Sequence, residues 1–157
     1  MTRSFAARGI VEGFYGTPWT HDNRRHAISF LAPRGLNAYV YAPKDDTKHR
    51  AAWRERYDDD EQAQFRDLCA HAGAHDVQFG FAISPGLDIT YDSSSDRALL
   101  RDKLVSMLDL GVTWFLLLVD DIPMRAGLAP AQAELAVWLL DAMRTAERAV
   151  TLTVCPT

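Results

Sequence analysis

Two adjacent carboxylates, Asp120 and Asp121, are the residues whose type and position most clearly indicate chemistry. They directly follow an apolar run at residues 114–119, which reads WFLLLV. Neighbouring carboxylates repel each other when both are charged, so one tends to keep its proton while the other ionises. A protonated acid beside a charged stabiliser is the pair that glycoside cleavage requires. A helix cap, a solvated loop and a metal site are the alternatives, although neither a histidine nor a third carboxylate follows closely.

Further candidate residues follow two other apolar runs. Lys44 could donate hydrogen bonds to sugar hydroxyls, or it could pair with its own acidic neighbours. Gly13, Phe14 and Tyr15 follow the first run of the chain. A glycine lets the backbone approach a ligand closely, and aromatic rings can stack on the face of a sugar. An ordinary strand-to-helix turn with aromatic core residues accounts for the same three positions, so both interpretations stay open.

The other polar clusters are explained without a site. The acidic run at residues 58–61 precedes an amphipathic pattern, where carboxylates cap a helix and complement its dipole. His71 and His75 have the i, i+4 spacing of metal ligands but no third partner, so a solvated helix face is favoured. Cys69 and Cys155 are far apart and are predicted to be core thiols. Nucleotide-binding glycine motifs and a serine-nucleophile motif are absent from the sequence, and we expect neither a cofactor nor a metal.

The elements that must position these residues alternate along the chain. The predicted strands are residues 9–11, 38–41, 77–83, 113–119 and 150–154, and the predicted helices are 22–31, 59–74, 96–110 and a fourth that opens at Pro130. Alternation of this kind predicts an α/β fold with a parallel sheet. The pattern alone does not choose between an open doubly wound sheet and a barrel. In both, active sites lie at the carboxyl ends of the strands, where all the candidate residues occur.

Composition limits the class of protein. The 157 residues are 48% hydrophobic and 24% charged, which is typical of a globular protein, and the formal net charge is −4. We expect one domain over residues 1–157, with no linker and no second domain. The chain has no basic run, so nucleic acid is not an expected partner. Its apolar runs are far shorter than the ~20 residues of a membrane span, and no signal-peptide stretch is seen, which favours a cytoplasmic protein.

Taken together, several segments resemble glycoside hydrolase family 84, the β-N-acetylglucosaminidases that include the O-GlcNAcases. The matching segments read GIVEGFYGTPWT at 9–20, YAPKDD at 41–46 with HR at 49–50, WRE at 53–55, ISPGLDI at 83–89, DDI at 120–122 and CPT at 155–157. They occur in the order of the family and extend over essentially the whole chain. Any one of them is weak, whereas all of them in register are specific.

The resemblance implies retaining hydrolysis of terminal β-linked N-acetylglucosamine (GlcNAc) by substrate-assisted catalysis, in which the substrate's acetamido oxygen attacks the anomeric carbon and forms an oxazoline. Asp120 would accept a hydrogen bond from the acetamido N–H and stabilise the developing positive charge. Asp121 would protonate the leaving oxygen and then act as the base toward water. Gly13 and Lys44 match positions that contact sugar hydroxyls, and Phe14 and Tyr15 would shape the pocket. The implied partner is a glycoconjugate or glycoprotein that bears β-GlcNAc.

The family's catalytic domain is a parallel (β/α)₈ barrel of the TIM type, and such a barrel usually needs roughly 250 residues. This chain is therefore expected to be the N-terminal half of the domain, with about the first five strands and four helices. Such a piece has two open sheet edges and an apolar lining, so we predict self-association or poor solubility, and weak or no activity for the isolated chain. A non-catalytic glycan-binding module, a truncated product without function and an unrelated metal-dependent α/β hydrolase are the alternatives.

Overall fold

The computed structural model describes residues 5–144 and 149–157 of the chain. Five strands alternate with four helices. The strands are β1 (Gly9–Glu12), β2 (Ala38–Tyr41), β3 (Gln78–Ile83), β4 (Trp114–Leu118) and β5 (Thr151–Cys155). The helices are α1 (His21–Leu31), α2 (Asp59–Ala74), α3 (Ser94–Asp109) and α4 (Leu128–Arg144). Short 3₁₀ turns lie at Ala32–Arg34 and Pro85–Leu87. The predicted alternation is confirmed.

Strand order decides between the two architectures that the sequence leaves open. The sheet is wholly parallel and runs β1-β2-β3-β4-β5, so each strand pairs with the next one in the chain. An open doubly wound sheet reverses its order at a switch point, whereas a (β/α) barrel adds strands in sequence. The arrangement is therefore that of a TIM-type barrel, to which this chain contributes five strands and four helices. Within the chain, β1 and β5 are the edge strands.

Helix boundaries follow from capping residues. The hydroxyl of Thr20 caps α1, that of Ser93 caps α3, and Asp58 forms a capping box with Glu61 at the start of α2. These contacts satisfy amide groups that have no partner inside a helix. The acidic run at 58–61 therefore has the capping role that the sequence predicts. The fourth helix begins at Leu128, two residues before the predicted start at Pro130. Proline is tolerated there because first-turn amides lack intrahelical partners.

The two faces of the sheet pack differently. Strand residues such as Tyr39, Phe81 and Phe115 face the helices and share one large buried cluster with them. A smaller cluster covers the opposite face, formed by Val40, Ala42, Ala82 and Leu116 with Trp114 and Leu118 against it. A barrel carries helices outside and side chains within, so the smaller cluster is the interior lining.

The two cysteines lie in different environments, and one of them differs from the sequence prediction. Cys69 is partly buried, and burial raises the pKa of its thiol to about 12, as suits a core thiol. Cys155 is exposed, so its prediction as a core thiol is wrong. Its register opposite Leu118 places it on the interior face of β5, which is an edge strand of this chain. No helix within residues 5–144 and 149–157 is long and apolar enough to cross a membrane.

Candidate active site

The carboxylate pair follows β4 at its carboxyl end. Val119 is fully buried and its N–H donates to the carbonyl of Cys155 at 2.9 Å, so the sheet contact with β5 continues up to the pair. Asp120 then has a side chain that is 31% exposed, and that of Asp121 is 50% exposed. Asp121 adopts a left-handed backbone with φ of 56°, which aspartate tolerates better than most residues do. The chain turns sharply here and presents both carboxylates at the end of the sheet.

Lys44 joins this pair from the end of β2. Its ammonium nitrogen Nζ lies 3.4 Å from Oδ2 of Asp121 and 3.8 Å from Oδ2 of Asp120, and its side chain is only 8% exposed. The sequence left open whether Lys44 instead pairs with its acidic neighbours. In the structure, the Lys44 ammonium group contacts two adjacent carboxylates that are distant from it in sequence. The three charged groups, of Lys44, Asp120 and Asp121, form a single cluster, which we call the Asp–Lys cluster.

One carboxylate oxygen of this cluster is buried without a partner. Oδ1 of Asp120 has no hydrogen-bond partner among the described residues. A buried acceptor without a donor costs about 1–3 kcal/mol, so such groups often mark a place where another molecule supplies the donor. Asp120 therefore has one oxygen directed toward Lys44 and a second that is available to an N–H or O–H group.

The β1–α1 loop lies beside the cluster. The carbonyl of Phe14 accepts a 3.1 Å hydrogen bond from the N–H of Lys44, which fixes this loop to the residue that contacts both aspartates. The Phe14 ring packs 5.7 Å from that of Trp19 and is partly exposed. The Tyr15 hydroxyl instead accepts from Nη1 of Arg50 at 2.6 Å, and its side chain is mostly exposed.

The β2–α2 loop is fixed by groups for which the sequence predicted no role. Nδ1 of His49 lies 2.8 Å from the carbonyl of Ala82, and the His49 carbonyl accepts from the N–H of Ser84 at 2.9 Å. Both contacts extend the ladder of β3 beyond the last registered pair with β2, just where Pro43 has no N–H to donate. Burial lowers the pKa of His49 to about 4, so the imidazole is neutral and donates from Nδ1.

A second anchor reaches the same loop from α3. Lys103 is buried, and its ammonium group donates to the carbonyls of Lys48, Trp53 and Glu55 at 2.5, 3.0 and 2.6 Å. Burial lowers the pKa of this lysine to about 8. The proline after β2 is the signal in the sequence that could have pointed to His49. Backbone carbonyls have no residue signature, so nothing comparable marks Lys103.

Comparisons with known proteins show the family to which this chain belongs. A family profile described as beta-N-acetylglucosaminidase matches residues 8–157. The chain belongs to the β-N-acetylglucosaminidase family. It is 45% identical over 114 residues to the Protein O-GlcNAcase of Rattus norvegicus and to that of Mus musculus, a match that covers 73% of this chain and 12% of each relative. The family predicted from the sequence is thereby confirmed.

A solved structure supports the fold of this family member. A mutant of the Thermobaculum terrenum O-GlcNAc hydrolase superposes with a TM-score of 0.92 at 36% identity, over 98% of this chain and 35% of that one. The barrel-type fold predicted from the resemblance is confirmed. The chain spans about an eighth of the length of the curated relatives and about a third of the solved one.

A cavity and a histidine pair of the β-N-acetylglucosaminidase chain contain no residue of the Asp–Lys cluster. A cavity of about 310 Å³ between α1 and α2 is lined by residues that include Trp19, Arg24 and Asp46, and by neither catalytic candidate. The rings of His71 and His75 are 4.4 Å apart, and Nε2 of His71 lies 2.9 Å from the Ser29 hydroxyl, where α2 meets α1. Within the described residues, no group of three or more His, Cys, Asp or Glu is arranged to hold a metal.

Proposed function

We propose that the protein containing this chain hydrolyses terminal β-linked GlcNAc from glycoconjugates, with retention of configuration and by substrate-assisted catalysis. The observation that carries the proposal is the Asp–Lys cluster: two adjacent carboxylates after β4 and a nearly buried ammonium group after β2, 3.4 and 3.8 Å apart. Membership of the β-N-acetylglucosaminidase family supports it, as do relatives named O-GlcNAcase and O-GlcNAc hydrolase.

Asp120 has the features that an acetamido group would need. Its buried Oδ1 lacks a donor among the described residues, and an acetamido N–H would supply one. A carboxylate in that position holds the acetamido oxygen toward the anomeric carbon and stabilises the positive charge that develops there. The substrate's own carbonyl oxygen then forms the bond to the anomeric carbon while the glycosidic C–O bond breaks.

Asp121 is the more exposed member of the pair, so it is the one that can reach the glycosidic oxygen at the mouth of the site. It gives its proton to the leaving oxygen, and the oxazoline intermediate remains. Its carboxylate then takes a proton from a water molecule that attacks the anomeric carbon and reopens the oxazoline. A groove of about 180 Å³ that Leu87, Ile122 and Arg125 help to line starts one residue beyond Asp121 and offers space for the leaving group.

Lys44 and the β1–α1 loop would bind the sugar. Lys44 has an ammonium group within reach of both aspartates and can donate to sugar hydroxyls at the same place. Gly13 and Phe14 lie on the loop that the Lys44 N–H fixes, so backbone groups there can approach the same sugar. The exposed ring of Tyr15 forms the outer edge of this pocket.

The test is hydrolysis by the full-length protein encoded by the gene, with two substrates that differ in leaving group. Asp121→Asn is expected to lower kcat for an alkyl β-N-acetylglucosaminide by about 10²–10⁴, because a poor leaving group needs the acid. An aryl glycoside, whose leaving group needs little protonation, is expected to lose much less. Asp92→Asn, which removes an exposed carboxylate from the neighbouring β3–α3 loop, is the matched control and should leave both rates unchanged.

Substrate assistance has its own readout. Fluorine atoms on the acetamido methyl group withdraw electrons from the attacking oxygen, so each added fluorine should lower kcat/KM if that oxygen is the nucleophile. Equal rates across the fluorinated series would contradict the mechanism. Binding of GlcNAc without hydrolysis of either glycoside would contradict the enzymatic function and support a glycan-binding module instead.

A further inference from the structure

Glu12 is a charged side chain buried at the end of β1, directly before Gly13. It is 0% exposed, and both of its carboxylate oxygens are occupied. Arg24 donates to it from Nε and Nη2 at 2.9 Å each, the Tyr39 hydroxyl donates at 2.5 Å, and the N–H of Trp19 donates at 3.0 Å. Four donors on one buried carboxylate leave it no freedom to move.

Such a network is expensive compared with an apolar core. Removing a carboxylate and a guanidinium from water costs several kcal/mol for each ion, and well-packed apolar residues are often at least as stabilising. The bidentate geometry of Arg24 fixes the orientation of the carboxylate as well as its place. What the pair supplies beyond stability is a defined position for whatever else the carboxylate binds.

That further ligand is the backbone of the loop that begins at the next residue. The bond from Glu12 to the Trp19 N–H closes residues 13–18 into a loop whose two ends meet at one carboxylate. The Trp19 ring packs against Phe14, and the Phe14 carbonyl accepts from Lys44. A continuous series of contacts therefore runs from Glu12 to the Asp–Lys cluster.

We propose that Glu12 is a positioning residue for sugar recognition: its buried carboxylate fixes the β1–α1 loop so that Gly13 and Phe14 bind GlcNAc in register with Lys44. The proposal rests on the proposed function of this site. Glu12 touches neither the reacting atoms nor the two aspartates, so it acts through binding and leaves the chemical step to them.

The test compares Glu12→Gln with Asp67→Asn in the full-length protein. Asp67 also accepts from two side chains, Arg25 at 2.5 Å and His21 at 2.8 Å, but on the outer surface between α1 and α2. Glu12→Gln places an amide N–H₂ among donors, so the loop should loosen and KM for an aryl β-N-acetylglucosaminide should rise about tenfold, with kcat within about threefold. Asp67→Asn should leave KM unchanged, even if it lowers the melting temperature by as much as Glu12→Gln does.

Amide hydrogen exchange of the loop gives a readout that is independent of turnover. Exchange of residues 13–19 is expected to accelerate in Glu12→Gln and to stay at the wild-type rate in Asp67→Asn. Tyr39→Phe removes one of the four hydrogen bonds and keeps the charge pair, so it should show a smaller effect of the same kind. If Glu12→Gln does not fold, Tyr39→Phe alone tests whether Glu12 positions the β1–α1 loop.

Two outcomes separate the failure of this inference from that of the proposed function. An unchanged KM, or unchanged exchange of residues 13–19, in a folded Glu12→Gln or Tyr39→Phe protein would overturn the positioning role. Wild-type protein that hydrolyses no β-GlcNAc conjugate would overturn the proposed function and with it the role in sugar recognition. The exchange comparison would then still show whether Glu12 fixes the loop.

Discussion

Lowering the pH from 7 to 5 is expected to destabilise the protein through His49. This imidazole is fully buried and donates from Nδ1 to the Ala82 carbonyl, while its Nε2 has no hydrogen-bond partner among the described residues. Burial lowers its pKa from 6.5 to about 4, with the positive charges of Lys44 and Lys103 acting in the same direction and Asp46 opposing them. Protonation in the folded state would therefore place an uncompensated charge in the interior.

The direction and the size of this change in stability follow from proton linkage. Between pH 6.5 and about 4 the unfolded chain binds the His49 proton and the folded chain does not, so stability falls as the pH falls. Above pH 6.5 neither the folded nor the unfolded chain binds this proton, so His49 causes no loss of stability there. The complete effect is about 3 kcal/mol, and about 2 kcal/mol of it appears between pH 7 and pH 5.

The assay is urea denaturation at several pH values, for wild type and His49→Asn. The variant lacks the imidazole, so the difference between the two free energies of unfolding should shrink by about 2 kcal/mol from pH 7 to pH 5. Leu104→Ala, which removes buried apolar atoms from α3 and no titratable group, is the control. Its difference from wild type should stay constant with pH. A constant difference for His49→Asn as well would refute the account of His49 as a buried neutral imidazole.

Two further changes test the packing that positions the site. Lys103→Met should lower the free energy of unfolding by about 3 kcal/mol, because three loop carbonyls lose their donor. Arg101→Met on the same helix, where the side chain is 43% exposed, should lower it by less than about 1 kcal/mol in the same denaturation experiment. Gly80→Ala should cost about 1–3 kcal/mol, because a Cβ there would lie 2.8 Å from the Trp114 ring. The matched Gly73→Ala, with nothing within 4 Å, should instead raise the melting temperature. Equal effects within either pair would contradict the packing described.

The fold could be predicted closely where local signals agree. For α2, the bounds Asp59–Ala74 equal the predicted range, because a capping box and a helical period of apolar residues identify the same segment. For β2, the run Ala38–Tyr41 is likewise as predicted. The barrel order was out of reach of the pattern, since alternating strands and helices produce either architecture. Only the pairing of each strand with its successor separates them, and here the family resemblance supplied that prediction.

The candidate site was predictable to the extent that its residues follow strands. Asp120, Asp121 and Lys44 come directly after apolar runs, so their convergence follows from parallel strands ending at one edge of the sheet. The roles of His49 and Lys103 escaped prediction because their partners are backbone carbonyls. A histidine or lysine in a polar loop or on a helix has the same sequence pattern whether it is solvated or buried against such groups.

Polar groups add to apolar packing in fixing the loops around the Asp–Lys cluster, where Trp19 and Trp53 pack into the core. Ladder hydrogen bonds stop where the strands end, yet the backbone continues through partly buried space, where each unpaired N–H or C=O costs free energy. Glu12 satisfies the Trp19 amide in one loop, and Lys103 satisfies carbonyls of the next. His49, which lies in that second loop, satisfies the Ala82 carbonyl on β3. Each of these groups holds the backbone atoms that it contacts in a defined place. Apolar side chains of similar size would fill the space without fixing the backbone. Replacing the three polar groups with such side chains should therefore loosen the Asp–Lys cluster even where the core stays intact.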